Sequence, residues 1–158
     1  MKDLIMLKEP RRETGLSIMS DTVKVAGIVN DSITDGPGLR LTVFVQGCDK
    51  RCEGCHNPEA QSFEGGTPMT VDEIFSIIKK NTLISGITFS GGEPFCQANE
   101  LIPLAKMIKA AGYELAVYTG NIFEDMLNSG DENILELIKL CDIIVDGPFM
   151  LAKKNLSL

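Results

Sequence analysis

The sequence has no lysine- or arginine-rich run; its basic residues pair at most, as in Arg11-Arg12 and Lys153-Lys154. With a formal net charge of −7, it lacks the clustered positive charge that a phosphate backbone requires, so nucleic acid is not an expected partner. It has no apolar run of about 18 residues, the length that spans a bilayer, so no membrane helix is expected. The apolar stretch in "MKDLIML" is too short for a signal peptide, and the chain reads as cytoplasmic. Histidine is almost absent: His56 stands alone. The five cysteines are an odd number. In a reducing compartment, clustered thiols mean metal binding or catalysis rather than disulfides.

What is present reads as a packed globular protein. The chain has 158 residues and is 44% apolar, enough for one domain with a sizeable core. Residues 1–20 contain a charged, irregular stretch and read as a flexible extension. Residues 21–158 read as the folded domain. Strands are expected at 40–46 ("RLTVFVQ"), 86–90 ("GITFS"), 114–119 ("ELAVYT") and 142–146 ("DIIVD"), from their β-branched and aromatic content. Helices are expected at 70–81, 99–111 and 132–140. The first opens on a Thr70/Glu73 capping box, and the last is capped by Asp131. Gly112 ends the middle helix, and Pro103 is expected in its first turn. Strands followed by helices at a repeat of about 28 residues make βα units, hence a parallel α/β sheet, open or curled into part of a barrel. Ligand sites then form in the loops after the strands' C-terminal ends. Three such loops hold the least ordinary residues: "GCDKRCEGC", "SGGEPF" and "TGN".

The first of these loops carries Cys48, Cys52 and Cys55, spaced C-x3-C-x2-C. Structural zinc takes four ligands. A fully thiolate-bound iron–sulfur cluster also takes four. His56 directly follows Cys55, so the two side chains would struggle to reach one metal. Cys96 and Cys141 are remote in sequence and would join only through folding. One reading is a zinc-binding module of four cysteines or of three cysteines and a histidine. The other is a [4Fe–4S] cluster with three protein ligands, leaving one iron open for chemistry. Gly47 and Gly54 would let the loop wrap tightly around it.

The cysteine spacing after a strand resembles that of the radical S-adenosylmethionine superfamily, and "SGGEP" (90–94) looks like that superfamily's glycine-rich motif. "DSITDGPGLRLTVFVQGC" (31–48) and "CHNPEAQ" (55–61) are similar to the activases of glycyl radical enzymes. "VYTG" (117–120), "VDGPF" (145–149) and the short chain point within that family to activases of the anaerobic ribonucleoside-triphosphate reductase. The resemblance implies an incomplete parallel (βα) barrel of the radical S-adenosylmethionine type. It implies that Cys48, Cys52 and Cys55 hold one [4Fe–4S] cluster whose fourth iron is chelated by S-adenosylmethionine. Gly54, Cys55 and His56 would line the adenine side. Ser90, Gly91, Gly92 and Glu93 would receive the methionine end, and Thr119 and Gly120 the ribose. It further implies the large reductase subunit as partner, and flavodoxin or ferredoxin as electron donor. No side chain is assigned to acid–base catalysis; His56 reads as a loop residue beside the cofactor. Pyruvate formate-lyase as partner, or a small-molecule substrate, is the alternative within the superfamily.

Three further expectations concern single residues and the chain end. Asp35-Gly36-Pro37-Gly38 reads as a turn first, with a role at the site mouth through Arg40 as the second reading. Asp146 would cap the next loop, and Cys96 would be a small buried residue. The family continues past this point with a Gly-Ser-Asn-Gln-Arg-like segment and a further strand, so the chain, ending "KKNLSL", reads as truncated at its C-terminal end.

Overall fold

A computed structural model describes residues 22–50 and 58–147. The expected extension at 1–20 and the end of the chain lie outside them. Among the described residues, the elements run β1 (Thr22–Ser32), β2 (Arg40–Val45), β3 (Thr67–Thr70), α1 (Val71–Lys80), β4 (Gly86–Gly91), α2 (Ala98–Ala110), β5 (Glu114–Tyr118), α3 (Phe123–Leu127), α4 (Glu132–Leu140) and β6 (Ile143–Val145). They form one six-stranded sheet of order β3-β1-β2-β4-β5-β6. The pairs β2–β4, β4–β5 and β5–β6 are parallel. The pairs β1–β2 and β1–β3 are antiparallel. The fold is therefore mixed α/β, with the expected parallel strands extended at one edge by an antiparallel pair.

That pair is absent from the sequence reading for two local reasons. The register of β1 shifts between Val25 and Gly27 and again before Ser32, which breaks the alternation of a half-buried strand. β3 is four residues long and contains Pro68, which a sheet tolerates at its edge. The helices follow their sequence signals closely. Thr70 Oγ1 accepts the Glu73 amide at 3.0 Å, and Glu73 Oε1 accepts the Thr70 amide at 2.8 Å. Asp131 Oδ1 accepts the amides of Asn133 and Ile134. Gly112 takes φ +92° just past α2. Pro103 departs from expectation: it lies inside α2, at the sixth position rather than in the first turn. The carbonyl it leaves unpaired belongs to Asn99, which is exposed.

Alternation along the strands divides the sheet into two unlike faces. Leu41, Val43, Val45, Ile87, Phe89, Leu115 and Val117 are fully buried in one core with Ile74, Ile78, Leu101, Leu104, Ile108 and Leu137 of the helices. The other face presents Arg40, Thr42, Thr88 and Tyr118. The turn after β1 closes that face at the strands' N-terminal ends. There the Asp35 carbonyl accepts from Thr88 Oγ1 at 2.7 Å, and Asp35 Oδ2 from Thr42 Oγ1 at 3.2 Å. Arg40 sits at this closed end, not at the site mouth. It is fully buried and donates to Thr88 Oγ1 (2.7 Å), the Pro37 carbonyl (2.8 Å), Glu114 Oε1 (2.8 Å) and the Ile87 carbonyl (3.0 Å). The physical reason is its place as the first residue of β2: a guanidinium there meets the free carbonyls of neighbouring strands and needs no solvent. The sheet thus forms a cup, closed below and open at the strands' C-terminal ends.

Candidate active site

The open end of the cup holds a cavity of about 500 Å³. Its wall includes Cys48 from the loop after β2, Ser90 to Glu93 from the end of β4 and the loop after it, and Thr119 and Gly120 from the loop after β5. Folding therefore brings to one cavity seven of the residues singled out in sequence. Gly54, Cys55 and His56, with Cys52, lie outside the described residues.

The base of the cysteine loop is a two-limbed staple. Gly47, at φ +103°, donates to the Ala60 carbonyl at 2.7 Å, and Cys48 donates to the Gln61 carbonyl at 3.1 Å. Cys48 is 9% exposed, and its sulfur accepts the Lys50 amide at 3.4 Å. Burial pushes its thiol pKa up, against that amide, with Glu93 and Asp49 adding to the rise. Without a metal the group is a neutral thiol, and binding a metal there releases a proton.

The glycines at the end of β4, Gly91 and Gly92, are required by the protein's own backbone. A Cβ at Gly91 would lie 2.5 Å from the Val45 nitrogen and 2.7 Å from its oxygen. A Cβ at Gly92 would lie 2.3 Å from the Gly47 oxygen and 2.8 Å from the Ala60 oxygen. Gly92 donates to the Val45 carbonyl and Glu93 to the Gly47 carbonyl, each at 2.8 Å. The "GG" pair thus lets the second loop lie directly on the root of the first.

Glu93 ties in the third loop. It is 1% exposed; Oε1 accepts the Gly120 amide at 2.8 Å, and Oε2 accepts the Thr119 hydroxyl at 2.7 Å and the Phe95 amide at 3.0 Å. Burial raises its pKa, although these three bonds and the Lys50 charge oppose the rise. The sign follows from linkage. Between the ordinary carboxylate range and the raised value, the unfolded chain loses its proton first. Stability from this group therefore falls as pH rises through that window. Glu93→Gln removes the titration and turns one oxygen into an NH2 facing donors. It is expected to flatten that part of the pH–stability curve and to destabilise by about 1–3 kcal/mol, read by thermal melting across the window.

A fourth loop completes the rim. Asp146 Oδ2 accepts the Phe123 amide at 2.7 Å, at the start of α3, which precedes it in the chain, and Asp146 also lines the cavity; beyond Gly147 the loop it was expected to cap lies outside the described residues. Lys50 and Tyr118 line it too, and neither was singled out in sequence. Partial burial works against the Lys50 ammonium, but Asp49 and Glu93 outweigh it and hold its pKa above the ordinary value. The signal for Lys50 was its place inside the cysteine loop. For Tyr118 it was the alternation that puts it on the polar face of β5.

The remaining cysteines separate. Cys96 is exposed rather than buried, because the turn Pro94–Gln97 points it away from Phe95 and the core. Burial of part of its surface pushes its thiol up to about 11, against a bond from the Asp49 amide, so it is no thiolate at neutral pH. Cys141 precedes β6, at the closed end of the cup, and its thiol donates to the Leu137 carbonyl at 3.2 Å. Cys48 follows β2 at the other end, one strand length away, roughly 17–20 Å. Cys141 is therefore out of reach as a fourth ligand.

A family described as a 4Fe-4S single cluster domain matches residues 34–158. The anaerobic ribonucleoside-triphosphate reductase-activating protein of Enterobacteria phage T4 is 36% identical, over 77% of this chain and 76% of that protein. The chain belongs to the glycyl-radical-enzyme activases. Another member, the anaerobic ribonucleoside-triphosphate reductase-activating protein of Escherichia coli K12, is 33% identical over 80% of this chain and 84% of its own length. The pyruvate formate-lyase-activating enzyme of Clostridium pasteurianum is 32% identical over 77% of this chain. The chain spans about half the length of that enzyme, 50%. Membership supports an iron–sulfur cluster. Among the described residues, no helix is long and apolar enough to cross a membrane.

Proposed function

We propose that this chain activates an anaerobic ribonucleoside-triphosphate reductase in the cytoplasm by generating a glycyl radical on it. The observation that carries the reading is the convergence of Cys48, Ser90 to Glu93, and Thr119 with Gly120 on one open cavity. The fit to a cluster rests on the donor set. Cys48 is a shielded thiol with an amide already aimed at its sulfur, which is how proteins hydrogen-bond cluster ligands. Cys48, Cys52 and Cys55 hold three irons in this reading, and the fourth stays open. Gly54, Cys55 and His56 take the adenine side, Ser90 to Glu93 the methionine end, and Thr119 and Gly120 the ribose. When bound and reduced, a [4Fe–4S] cluster would supply one electron for the reductive cleavage of S-adenosylmethionine to methionine and a 5′-deoxyadenosyl radical, which would take a hydrogen atom from a glycine of the partner.

The chain's own part is to bind and to position. The Gly91–Gly92 backbone lays the second loop on the root of the first. Glu93 fixes the third loop at the distance its two bridging bonds set. In this reading the parallel strands β2, β4, β5 and β6 are the wall of an incomplete barrel whose open mouth takes a peptide of the partner. Flavodoxin or ferredoxin is the electron donor in this reading. Pyruvate formate-lyase is the second candidate partner, since activases of that enzyme are also relatives. The reductase is preferred because its activases match over more of their own length, 76% and 84% against 50%.

The test is anaerobic incubation with each candidate partner, S-adenosylmethionine and a reductant, followed by electron paramagnetic resonance. A glycyl radical doublet is expected on the reductase. A doublet on pyruvate formate-lyase alone would move the assignment to that partner, and none on either would end the proposal.

A further inference from the structure

Gln46 sits between the last residue of β2 and the cysteine loop, and its side chain is directed into the protein. The residue is 4% exposed. Its Nε2 donates to two backbone carbonyls of the limb by which the loop returns, Glu59 at 3.1 Å and Ser62 at 2.6 Å. Its own backbone is held as well. The Gln46 amide donates to the Lys24 carbonyl at 2.9 Å, and its carbonyl accepts Gln97 Nε2 at 3.0 Å. Gln97 in turn bonds both backbone groups of Lys24, at 2.9 and 3.0 Å. The return limb is packed against the same amide. A Cβ at Gly65 would lie 3.0 Å from Gln46 Nε2, and one at Gly66 2.7 Å from Gln46 Cβ. The outgoing limb begins one residue later, at Gly47 and Cys48.

We infer that Gln46 is a positioning residue for the cluster: its amide fixes the distance between the two limbs of the loop that carries Cys48, Cys52 and Cys55. This rests on the reading of those three cysteines as iron ligands. A primary amide suits the task because one nitrogen offers two donors in a plane and carries no charge into the buried site. Glu59 and Ser62 are themselves exposed, so what the two bonds satisfy is the donor pair of the buried Gln46 amide. The loop root then cannot widen without breaking both bonds, and the ligand geometry is inherited from that spacing. Gln97 supports Gln46 from the other side by holding its carbonyl to β1. Glu59 and Ser62 contribute only backbone, so no pattern of side chains reveals the contact.

The test compares anaerobically purified wild-type protein with Gln46→Met, which keeps volume and removes both donors, and with Gln46→Glu, which replaces the donor by an acceptor. Both variants are expected to lose iron to a chelator faster than wild type. The expected factor is about tenfold or more, the size that outer partners of metal ligands commonly carry. The electron paramagnetic resonance line shape of their reduced cluster should also change. The melting temperature of the metal-free proteins separates this from general loosening, which would lower the melt and leave the line shape of bound clusters as it is. Wild-type rates of iron loss with an unchanged line shape in Gln46→Met overturn the inference. Should the Gln46 variants fail to melt cooperatively, Gln97→Met decides, because that residue is only partly buried. Faster iron loss supports the clamp, and a wild-type rate refutes it. A wild-type protein that takes up no iron–sulfur cluster refutes the ligand assignment as well, and the wild-type sample alone reveals this.

Discussion

Cys48→Ala is expected to give a folded protein that retains no stable [4Fe–4S] cluster and cleaves S-adenosylmethionine at the background rate. The loss should be roughly a thousandfold or more, about 4 kcal/mol of barrier. Folding survives because the bond that ties the residue to the return limb is made by backbone. Its amide bonds the Gln61 carbonyl, and alanine keeps that bond. Only one sulfur leaves the wall of an open cavity. Chemistry is expected to fail, because under the proposed ligand set the two remaining thiolates would leave two irons open where one is needed to receive the cofactor. Iron and sulfide analysis, visible absorption and single-turnover release of 5′-deoxyadenosine check the prediction. A variant with wild-type iron content and cleavage rate would remove Cys48 from the ligand set.

Gly92→Ala is expected to be nearly as damaging, by a different route. Its Cβ would stand 2.3 Å from the Gly47 oxygen and 2.8 Å from the Ala60 oxygen. Both are backbone atoms in the staple that closes the cysteine loop, so no side-chain rotation relieves the overlap. Overpacking typically costs 1–3 kcal/mol, and the expected cost here is about 3 kcal/mol, with the loop root displaced and iron retention lost. Gly112→Ala is the control. That glycine has φ +92°, yet a Cβ there meets nothing within 4 Å, so only backbone strain of about 1 kcal/mol is expected. Melting temperatures and iron content of the two variants, side by side, separate steric collision from strain. A Gly92→Ala protein that keeps its iron and melts like Gly112→Ala would show that the two loops are not locked together.

Glu93 and Arg40 show where reading along the chain stops. Cys48, singled out by the cysteine spacing, and Glu93, singled out by "SGGEP", line the same cavity. The bonds from Glu93 to Thr119 and Gly120 cross 26 and 27 residues of sequence, and nothing local in either segment encodes them. Arg40 follows a turn motif and has the charge of a ligand-binding residue. Its burial comes from Thr88 and Glu114, 48 and 74 residues away. Residues 22–32 contain β-branched positions, but the register shifts of β1 hide them from a test for strict alternation.

The amino-acid sequence by itself determined what depends on neighbours along the chain. It placed the helices through their caps, the parallel strands through their apolar runs, and the thiols at metal-binding intervals on the loop after a strand. Tertiary structure alone decided which loops meet and which polar groups hold them there. It brought Glu93 to the third loop, Gln46 to the return limb and Arg40 to the closed end of the cup. The physical reason is that periodicity and capping are set over a few residues. The partner of a buried amide, carboxylate or guanidinium is whatever donor or acceptor folding brings within about 3 Å.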